Sequence, residues 1–174
     1  MKMPQLDAVV PYFQPIISAD AQEVFAYEVL AREVLDGEAR SMGAFFESKK
    51  ISDSVKFEFD MQVRSLAMEM YVASGTKAKL FINIKPSWVY AYKGNCTPFP
   101  TLILIERFGI DPRNVVIDIT EEDLMGDYDV LGRLLAEYRR AGCLLAIDDF
   151  GKGASNFERI AHITPDIIKI DRSI

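Results

Sequence analysis

The stretch that decides the fold reads LLAIDDFG, residues 144–151. Its four leading apolar residues predict a buried strand, and Gly151 allows a turn after it. Side chains of adjacent strand residues point to opposite faces, so Asp148 and Asp149 can meet one ligand only at the strand's end. Two such carboxylates repel unless a cation lies between them, and hard divalent cations take oxygen ligands of this kind. If this were the only such pair in the chain, a polar cap at the end of a strand would explain it better than a cation site would.

The pattern of an apolar strand followed by a polar residue recurs along the chain. Further strands are predicted at 12–17, 24–27, 79–82, 115–117 and 167–170, and the last four of these are followed by Glu28, Asn83, Asp118 and Asp171. Taken singly, Asn83 fits a turn, and Glu28 with Arg32 fits a surface ion pair. Helices are predicted at 41–50, 52–75, 101–108, 127–141 and 156–163.

Strands that alternate with helices predict parallel βα units, and polar groups at successive strand ends are typical of the active site of a (β/α) barrel. A full barrel has eight strands and about 250 residues. Six strands are predicted in these 174 residues. The predicted fold is therefore α/β, a TIM-like (β/α) barrel without its last two β/α units.

Composition narrows the possible partners and location. The chain is 49% hydrophobic and 26% charged, which is typical of a globular domain, and its net charge of −6 argues against binding to a nucleic acid duplex. It has no apolar run of membrane-spanning length and no signal peptide pattern, and Cys96 and Cys143 are isolated. We expect a cytoplasmic protein with reduced thiols. Because Met1 lies close to the first strand, any regulatory domain is expected after Ile174 or in a separate chain.

Five motifs in this order resemble the EAL domain family, bacterial phosphodiesterases of the second messenger cyclic di-GMP. The resemblance covers residues 12–171 and rests on Glu28-Val29-Leu30-Ala31-Arg32, Phe81-Ile82-Asn83, Ile117-Asp118-Ile119-Thr120-Glu121, Asp148-Asp149-Phe150-Gly151 and Lys169-Ile170-Asp171. It implies that residues 1–174 form one EAL-like domain, the N-terminal part of the barrel, truncated at the C-terminus.

The resemblance also implies roles by position. One Mg²⁺ or Mn²⁺ ion would be held by Glu28, Asn83, Asp118 and Asp148, and a second by Asp148 and Asp149. Lys169 would orient the attacking water, so that it and Glu28 count as catalytic. Arg32 would bind a phosphate of the substrate, Gln14 would contact a guanine base, and Glu121 would anchor the loop after the Asp pair. A homodimer is implied as well.

Several positions depart from the family's pattern. Asp118 stands where the family has Glu, and Lys152 and Ala154 stand where it usually has Thr and Tyr. Three functions therefore remain open. The first is metal-dependent hydrolysis of cyclic di-GMP to linear pGpG in signal transduction. The second is binding of cyclic di-GMP without cleavage, and the third is a protein-interaction module.

Overall fold

The computed structural model describes residues 3–85, 99–120, 128–151 and 163–174, with only the backbone at 128–130, 133 and 134. The strands in this part of the chain are β1 (Val9–Ile17), β2 (Val24–Leu35), β3 (Glu38–Ser41), β4 (Lys79–Asn83), β5 (Val115–Thr120), β6 (Leu144–Phe150) and β7 (Ile167–Ile170). The helices are α1 (Gly43–Glu47), α2 (Asp53–Ser74), α3 (Pro100–Arg107) and α4 (Tyr128–Ala141). None of the helices described is long and apolar enough to cross a membrane.

The strands form one sheet in the order β1-β2-β4-β5-β6-β7, with β3 beside β2. Pairing is parallel from β2 through β4, β5 and β6 to β7, as expected for strands that alternate with helices. The first two strands, between which no helix is predicted, differ from the rest, because β1 pairs with β2 in antiparallel fashion. Residues 18–23, which join them, are too few for the crossover that a parallel pair needs.

Strand β2 is longer than predicted and continues into a second hairpin. It passes Glu28 and runs to Leu35, where Asp36 and Gly37 turn the chain into β3. Both turn residues have positive φ, 52° and 82°, as a two-residue hairpin turn of the Asp-Gly type requires. Glu28 therefore lies within a strand rather than at its end, and residues 38–41 add a strand that the sequence analysis did not predict.

Two apolar layers lie on opposite faces of the sheet. The larger one packs the outward-facing residues of the parallel strands, such as Ile82, Ile117 and Ile147, against α2, α3 and α4. The smaller one lies on the inner face and contains Ala26, Phe81, Val116 and Ala146, with the half-buried Ile167 beside them. Because strand side chains alternate between faces, the residues two positions further along each strand also point inward. Those residues are Glu28, Asn83, Asp118, Asp148 and Lys169.

Candidate metal centre

One layer of polar side chains lies on the inner face, next to the small apolar layer. Oxygen atoms of the Glu28, Asp118 and Asp148 carboxylates all lie within 4.8 Å of one another. These side chains come from β2, β5 and β6, so residues that are up to 120 positions apart in sequence converge at one place. The register of the parallel strands brings them there, since Asn83 pairs with Asp118 and Thr120 pairs with Asp148.

Lys169 on β7 lies at the centre of these carboxylates. Its Nζ atom donates to Asp118 Oδ2 at 2.7 Å, to Asp148 Oδ2 at 2.7 Å and to Glu28 Oε2 at 3.0 Å. The same ammonium lies 5.9 Å from the centroid of the Phe81 ring, which belongs to the apolar layer. Three carboxylates thus face one ammonium, and the cluster carries an excess of negative charge that a divalent cation would balance.

Asp118 is the most enclosed member of the cluster, with no exposed surface. Its Oδ1 atom has no hydrogen-bond partner among the residues that the structure describes. Burial raises the pKa of Asp118 to about 7; Lys169 lowers that pKa, while Asp148 and Glu28 add to the rise. Burial would lower the pKa of Lys169, but the surrounding carboxylates, Asp118 first, raise it above its usual value. Lys169 therefore keeps its proton, and Asp118 is the carboxyl of the cluster whose neutral form burial favours.

Asn83 is the fourth candidate metal ligand. Its Nδ2 atom donates to Glu28 Oε1 at 3.1 Å and to the Val29 carbonyl at 3.3 Å, and Oδ1 is the atom of the amide that could bind a cation. All the candidate ligands are then oxygen atoms, the set that Mg²⁺, Mn²⁺ and Ca²⁺ prefer and structural zinc does not. A buried carboxylate oxygen without a hydrogen-bond donor also fits a cation ligand. The residues present thus fit a hard divalent ion.

The Asp148–Asp149 pair lies in an irregularity of β6. The pairing register between β6 and β7 shifts between Ile147 and Phe150, and Asp149 adopts a positive φ of 56°. The Asp149 backbone N–H donates to Asp148 Oδ1 at 2.8 Å. This bulge re-aims the second aspartate, so the alternation of a regular strand does not apply to the pair. A ligand role for Asp149 stays a prediction.

A cavity of about 320 Å³ opens beside the cluster, and Glu28, Arg32, Asn83 and Asp118 are among its lining residues. Arg32 follows Glu28 by four positions on β2, and its Nη1 atom donates to the Ala31 carbonyl at 3.0 Å. No ion pair with Glu28 forms; Glu28 instead accepts from Asn83 and Lys169. An anionic ligand in this cavity would lie close to the Arg32 guanidinium and to the carboxylate cluster.

A protein-family model described as the EAL domain matches residues 2–174. The chain belongs to the EAL domain family.

Known relatives support this assignment in sequence and in structure. The EAL-domain containing protein YkuI of Bacillus subtilis is 36% identical over 166 residues, which are 95% of this chain and 40% of YkuI. The crystal structure of YkuI, described as a complex with substrate c-di-GMP and calcium, matches with a TM-score of 0.88 at 35% identity, over 97% of this chain and 42% of that one.

Two other relatives are more distant. The manganese/cy-diGMP complex of BlrP1 from Klebsiella pneumoniae has a TM-score of 0.78 at 26% identity, over 98% of this chain and 43% of that one. PdeB of Escherichia coli, a probable cyclic di-GMP phosphodiesterase, is 25% identical over 170 residues, which are 93% of this chain and 31% of PdeB. The chain spans less than half the length of each of these relatives. These similarities confirm the predicted family and fold, a partial (β/α) barrel of the EAL type.

The remaining predicted site residues of this EAL domain lie elsewhere in the chain. Gln14 on β1 is exposed and pairs directly with Glu28 across the β1–β2 hairpin, so the two side chains share a face. Glu121 lies outside the described residues, as do Lys152 and Ala154. Asp171 follows β7, and its backbone N–H donates to the Phe150 carbonyl at 3.0 Å.

Two charged residues that the sequence analysis missed also line the cavity of this EAL domain. Asp60 and Arg64 lie one turn apart on α2 and form an ion pair, and Arg64 is almost fully buried. Burial raises the pKa of Asp60 to about 6, although Arg64 opposes the rise. An Asp and an Arg four positions apart are typical of a solvent-exposed helix face, so no local pattern in the sequence indicates that this pair is buried.

Proposed function

We propose that this EAL domain binds cyclic di-GMP and, with divalent cations, hydrolyses it to linear pGpG. The observation that carries the proposal is the cluster of three carboxylates, next to a cavity that Arg32 lines; one of the three is the buried Asp118, whose Oδ1 atom has no hydrogen-bond partner in the described part of the chain. Relatives named as cyclic di-GMP phosphodiesterases, and structures of relatives that contain this dinucleotide with calcium or manganese, support the choice of substrate.

The proposed metal ligands are those that the family resemblance implies, and the convergence of the Glu28, Asp118 and Asp148 oxygens supports the assignment. Glu28, Asn83, Asp118 and Asp148 hold one Mg²⁺ or Mn²⁺ ion, and Asp148 and Asp149 hold the second. Such a pair lowers the pKa of bound water and neutralises charge on the phosphoryl oxygens when bound.

The other site residues bind and orient the reactants. Lys169, held as an ammonium by its carboxylates, would donate a hydrogen bond to the attacking water once a bound metal ion has replaced one of the three carboxylate contacts of the ammonium. Glu28 holds both Asn83 and Lys169 in place. Arg32 binds a phosphate of the dinucleotide through charge-assisted hydrogen bonds, Gln14 contacts a guanine base, and Glu121 anchors the loop after the Asp pair.

A second candidate function is a receptor that binds cyclic di-GMP without cleaving it. It is favoured by Asp118, which is one methylene shorter than the Glu of the family, and by Lys152 and Ala154 in the loop after the Asp pair. The Asp118 carboxylate nevertheless reaches the cluster, with an oxygen within 4.8 Å of oxygens of both Glu28 and Asp148. A module that serves only protein interaction ranks last, because charges held together at this density are costly without a ligand.

We also propose that residues 1–174 are the N-terminal part of a larger barrel. In the described part of the chain, β7 pairs with β6 alone, and Ile168 and Ile170 on β7 are exposed. An apolar strand edge of this kind needs a cover. Further strands of the same polypeptide, a homodimer partner or a regulatory domain after Ile174 or in a separate chain would supply one. Hydrolysis by the 174-residue chain alone is therefore expected to be slow.

The test is to incubate the chain with cyclic di-GMP and Mn²⁺ or Mg²⁺, and to follow pGpG by chromatography and binding by calorimetry. Asp148→Asn removes a central carboxylate. Asp111→Asn is the matched control, since Asp111 is an aspartate that bonds Arg113 away from the cluster. Metal-dependent pGpG formation that Asp148→Asn abolishes and Asp111→Asn retains supports the enzyme. Binding without turnover supports the receptor, and absence of both refutes the proposed function.

A further inference from the structure

A cluster of buried polar side chains lies beside the main chain of Asn83, the last residue of β4. Arg64 on α2 donates from Nη1 to Thr101 Oγ1 on α3 at 2.6 Å and from Nη2 to the Asn83 carbonyl at 3.4 Å, and it pairs with Asp60 one turn earlier. The Arg64 residue is only 4% exposed. One guanidinium thus connects α2, α3 and the end of β4.

Stability alone does not explain this arrangement. Taking an Arg–Asp pair out of water costs free energy, and well-packed apolar residues of similar volume are often as stable or more stable at such positions. The neighbourhood is apolar already, because Phe59, Val63 and Ala67 of the same helix are buried in the core. In addition, Arg64 Nε finds no hydrogen-bond acceptor in the described part of the chain. The planar fork of the guanidinium is better suited to fixing the relative position of several groups.

The group that Arg64 fixes is the main chain at Asn83. The next backbone N–H, that of Ile84, donates to the Asp118 carbonyl at 2.8 Å, so this segment is tied to β5 from one side and to Arg64 from the other. The Asn83 side chain donates to Glu28 and Val29, which aims its remaining oxygen. A shift of the Asn83 backbone would therefore move that oxygen relative to the carboxylate cluster.

We propose that Arg64 is a positioning residue that sets the placement of Asn83 in the metal centre from the outer side of the sheet. The inference rests on the proposed function in one respect, the treatment of Asn83 as a metal ligand. Partners that orient metal ligands typically change metal affinity 10- to 100-fold when they are replaced. Arg64 makes a single, long hydrogen bond to Asn83, so the expected loss is at the lower end, about tenfold.

The first test separates positioning from stability. The double variant Asp60→Leu/Arg64→Met removes both charges together and keeps most of the volume, so we expect it to fold. Its dissociation constant for Mn²⁺, measured by titration calorimetry, should rise about tenfold. Thr101→Val is the matched control, because it removes the other hydrogen bond of Arg64 and leaves the one to Asn83; its dissociation constant should stay within about twofold of the wild-type value.

The second test is a double-mutant cycle between Arg64 and Asn83. It uses Arg64→Lys, which retains a positive charge beside Asp60. In the otherwise unchanged chain, Arg64→Lys should weaken Mn²⁺ binding severalfold, because an ammonium cannot reproduce the fork that reaches both Thr101 and Asn83. In an Asn83→Ala background the same change should have no effect, since the ligand that it positions is gone. A purely structural role predicts equal losses in both backgrounds.

The outcomes distinguish the two proposals. If the wild-type chain binds Mn²⁺ and neither Arg64 variant weakens that binding, the positioning role is overturned and the proposed function stands. A loss in Thr101→Val as large as in the double variant, or equal losses in the two backgrounds of the cycle, would overturn the positioning role too. If the wild-type chain binds no Mn²⁺ at all, the proposed metal centre and the positioning role fall together.

Discussion

Replacement of Lys169 by methionine tests how the carboxylate cluster is held together. The change keeps most of the side-chain length and removes one ammonium that donates to Glu28, Asp118 and Asp148 at 2.7–3.0 Å. In the absence of metal, the three carboxylates would then repel one another without a positive charge between them. We expect the free energy of unfolding at pH 7 to fall.

The size of the loss follows from burial and from the proton that Asp118 can take up. Removal of one partner from a buried pair costs about 3–5 kcal/mol. The Lys169 side chain is 21% exposed and those of Glu28 and Asp148 are 15% and 24% exposed, so none of these pairs is fully buried. The pKa of Asp118 is already raised to about 7, so protonation of this carboxyl relieves part of the repulsion. We therefore expect the lower end of the range, about 3 kcal/mol, or a fall of about 6–12 °C in Tm.

The same variant should respond more strongly to metal. In the wild-type chain a divalent ion shares its carboxylates with the Lys169 ammonium, whereas in Lys169→Met the ion would be the only cation among them. If binding becomes tenfold tighter, the added stabilisation at saturating metal is about 1.4 kcal/mol, equivalent to about 3–6 °C. Turnover should nevertheless be lost, because the group proposed to orient water is absent.

Thermal unfolding in EDTA and in excess Mn²⁺, followed by circular dichroism, measures both effects. Lys79→Met is the control, because Lys79 lies at the opposite end of β4 and donates to the Arg113 carbonyl at 2.9 Å, away from the cluster. The reasoning fails if Lys169→Met has the Tm of Lys79→Met in EDTA. It also fails if Mn²⁺ raises the Tm of Lys169→Met by less than it raises the wild-type Tm.

Three further predictions concern pH, backbone conformation and ligand binding. An ordinary aspartate has a pKa of 3.8, and burial raises the pKa of Asp60 in the folded chain to about 6. Between these pH values the folded chain binds more protons than the unfolded chain, so the free energy of unfolding should fall as pH rises from about 4 to 6. Asp60→Asn should flatten that slope in urea titrations. Because Asp149 has a φ of 56°, Asp149→Gly should be about 1 kcal/mol more stable than Asp149→Ala, and equal stabilities would contradict a left-handed conformation there. Arg32→Ala should weaken binding of cyclic di-GMP with Ca²⁺ about 10- to 100-fold in calorimetry, while Arg40→Ala, which removes an exposed arginine paired with Glu38, should change it less than about twofold; equal effects would remove Arg32 from the binding site.

The centre of the fold could be predicted because it depends on local rules. Apolar runs followed by polar residues gave the parallel strands and the polar layer on one face. The spacing along the strands also indicates which residues share a face. Five of the inner apolar residues precede polar ones by two positions, as in Ala26 with Glu28 and Val116 with Asp118. This spacing alone indicates that each pair shares a face, with the small apolar layer below the carboxylates.

The hairpins were missed, although their signals are in the sequence. Asp36-Gly37 is a strong turn signal, and the short connection at 18–23 excludes a parallel pairing of the first two strands. No helix is predicted between the first two strands, but the direction of their pairing was not assigned. The consequence is functional, because the antiparallel partner places Gln14 opposite Glu28, a neighbour relation that a parallel arrangement would not have given.

The bulge at Asp149 and the position of Arg64 could not be predicted, because each depends on contacts between segments distant in sequence. The register shift arises in the pairing of β6 with β7, and no local pattern in DDFG requires it. In the sequence Arg64 has the context of an ordinary helical arginine. Its burial and its hydrogen bonds depend on the tertiary positions of α3 and the end of β4.

The strand register also bears on the shorter side chain at position 118. Asp118 pairs with Ala146, whereas Asp148 pairs with Thr120, so Asp118 lies one inward-facing position lower on the sheet than Asp148. A glutamate there would extend toward the level of Asp148, but the aspartate is bridged to that level by Lys169, which donates to both at 2.7 Å. Because Asp118 has no exposed surface, the surrounding side chains already enclose the shorter residue, and an added methylene would have to displace them. The packing around Asp118 thus accommodates the departure from the family's glutamate, and its effect on the proposed metal binding would depend on how a divalent ion divides these oxygens with Lys169.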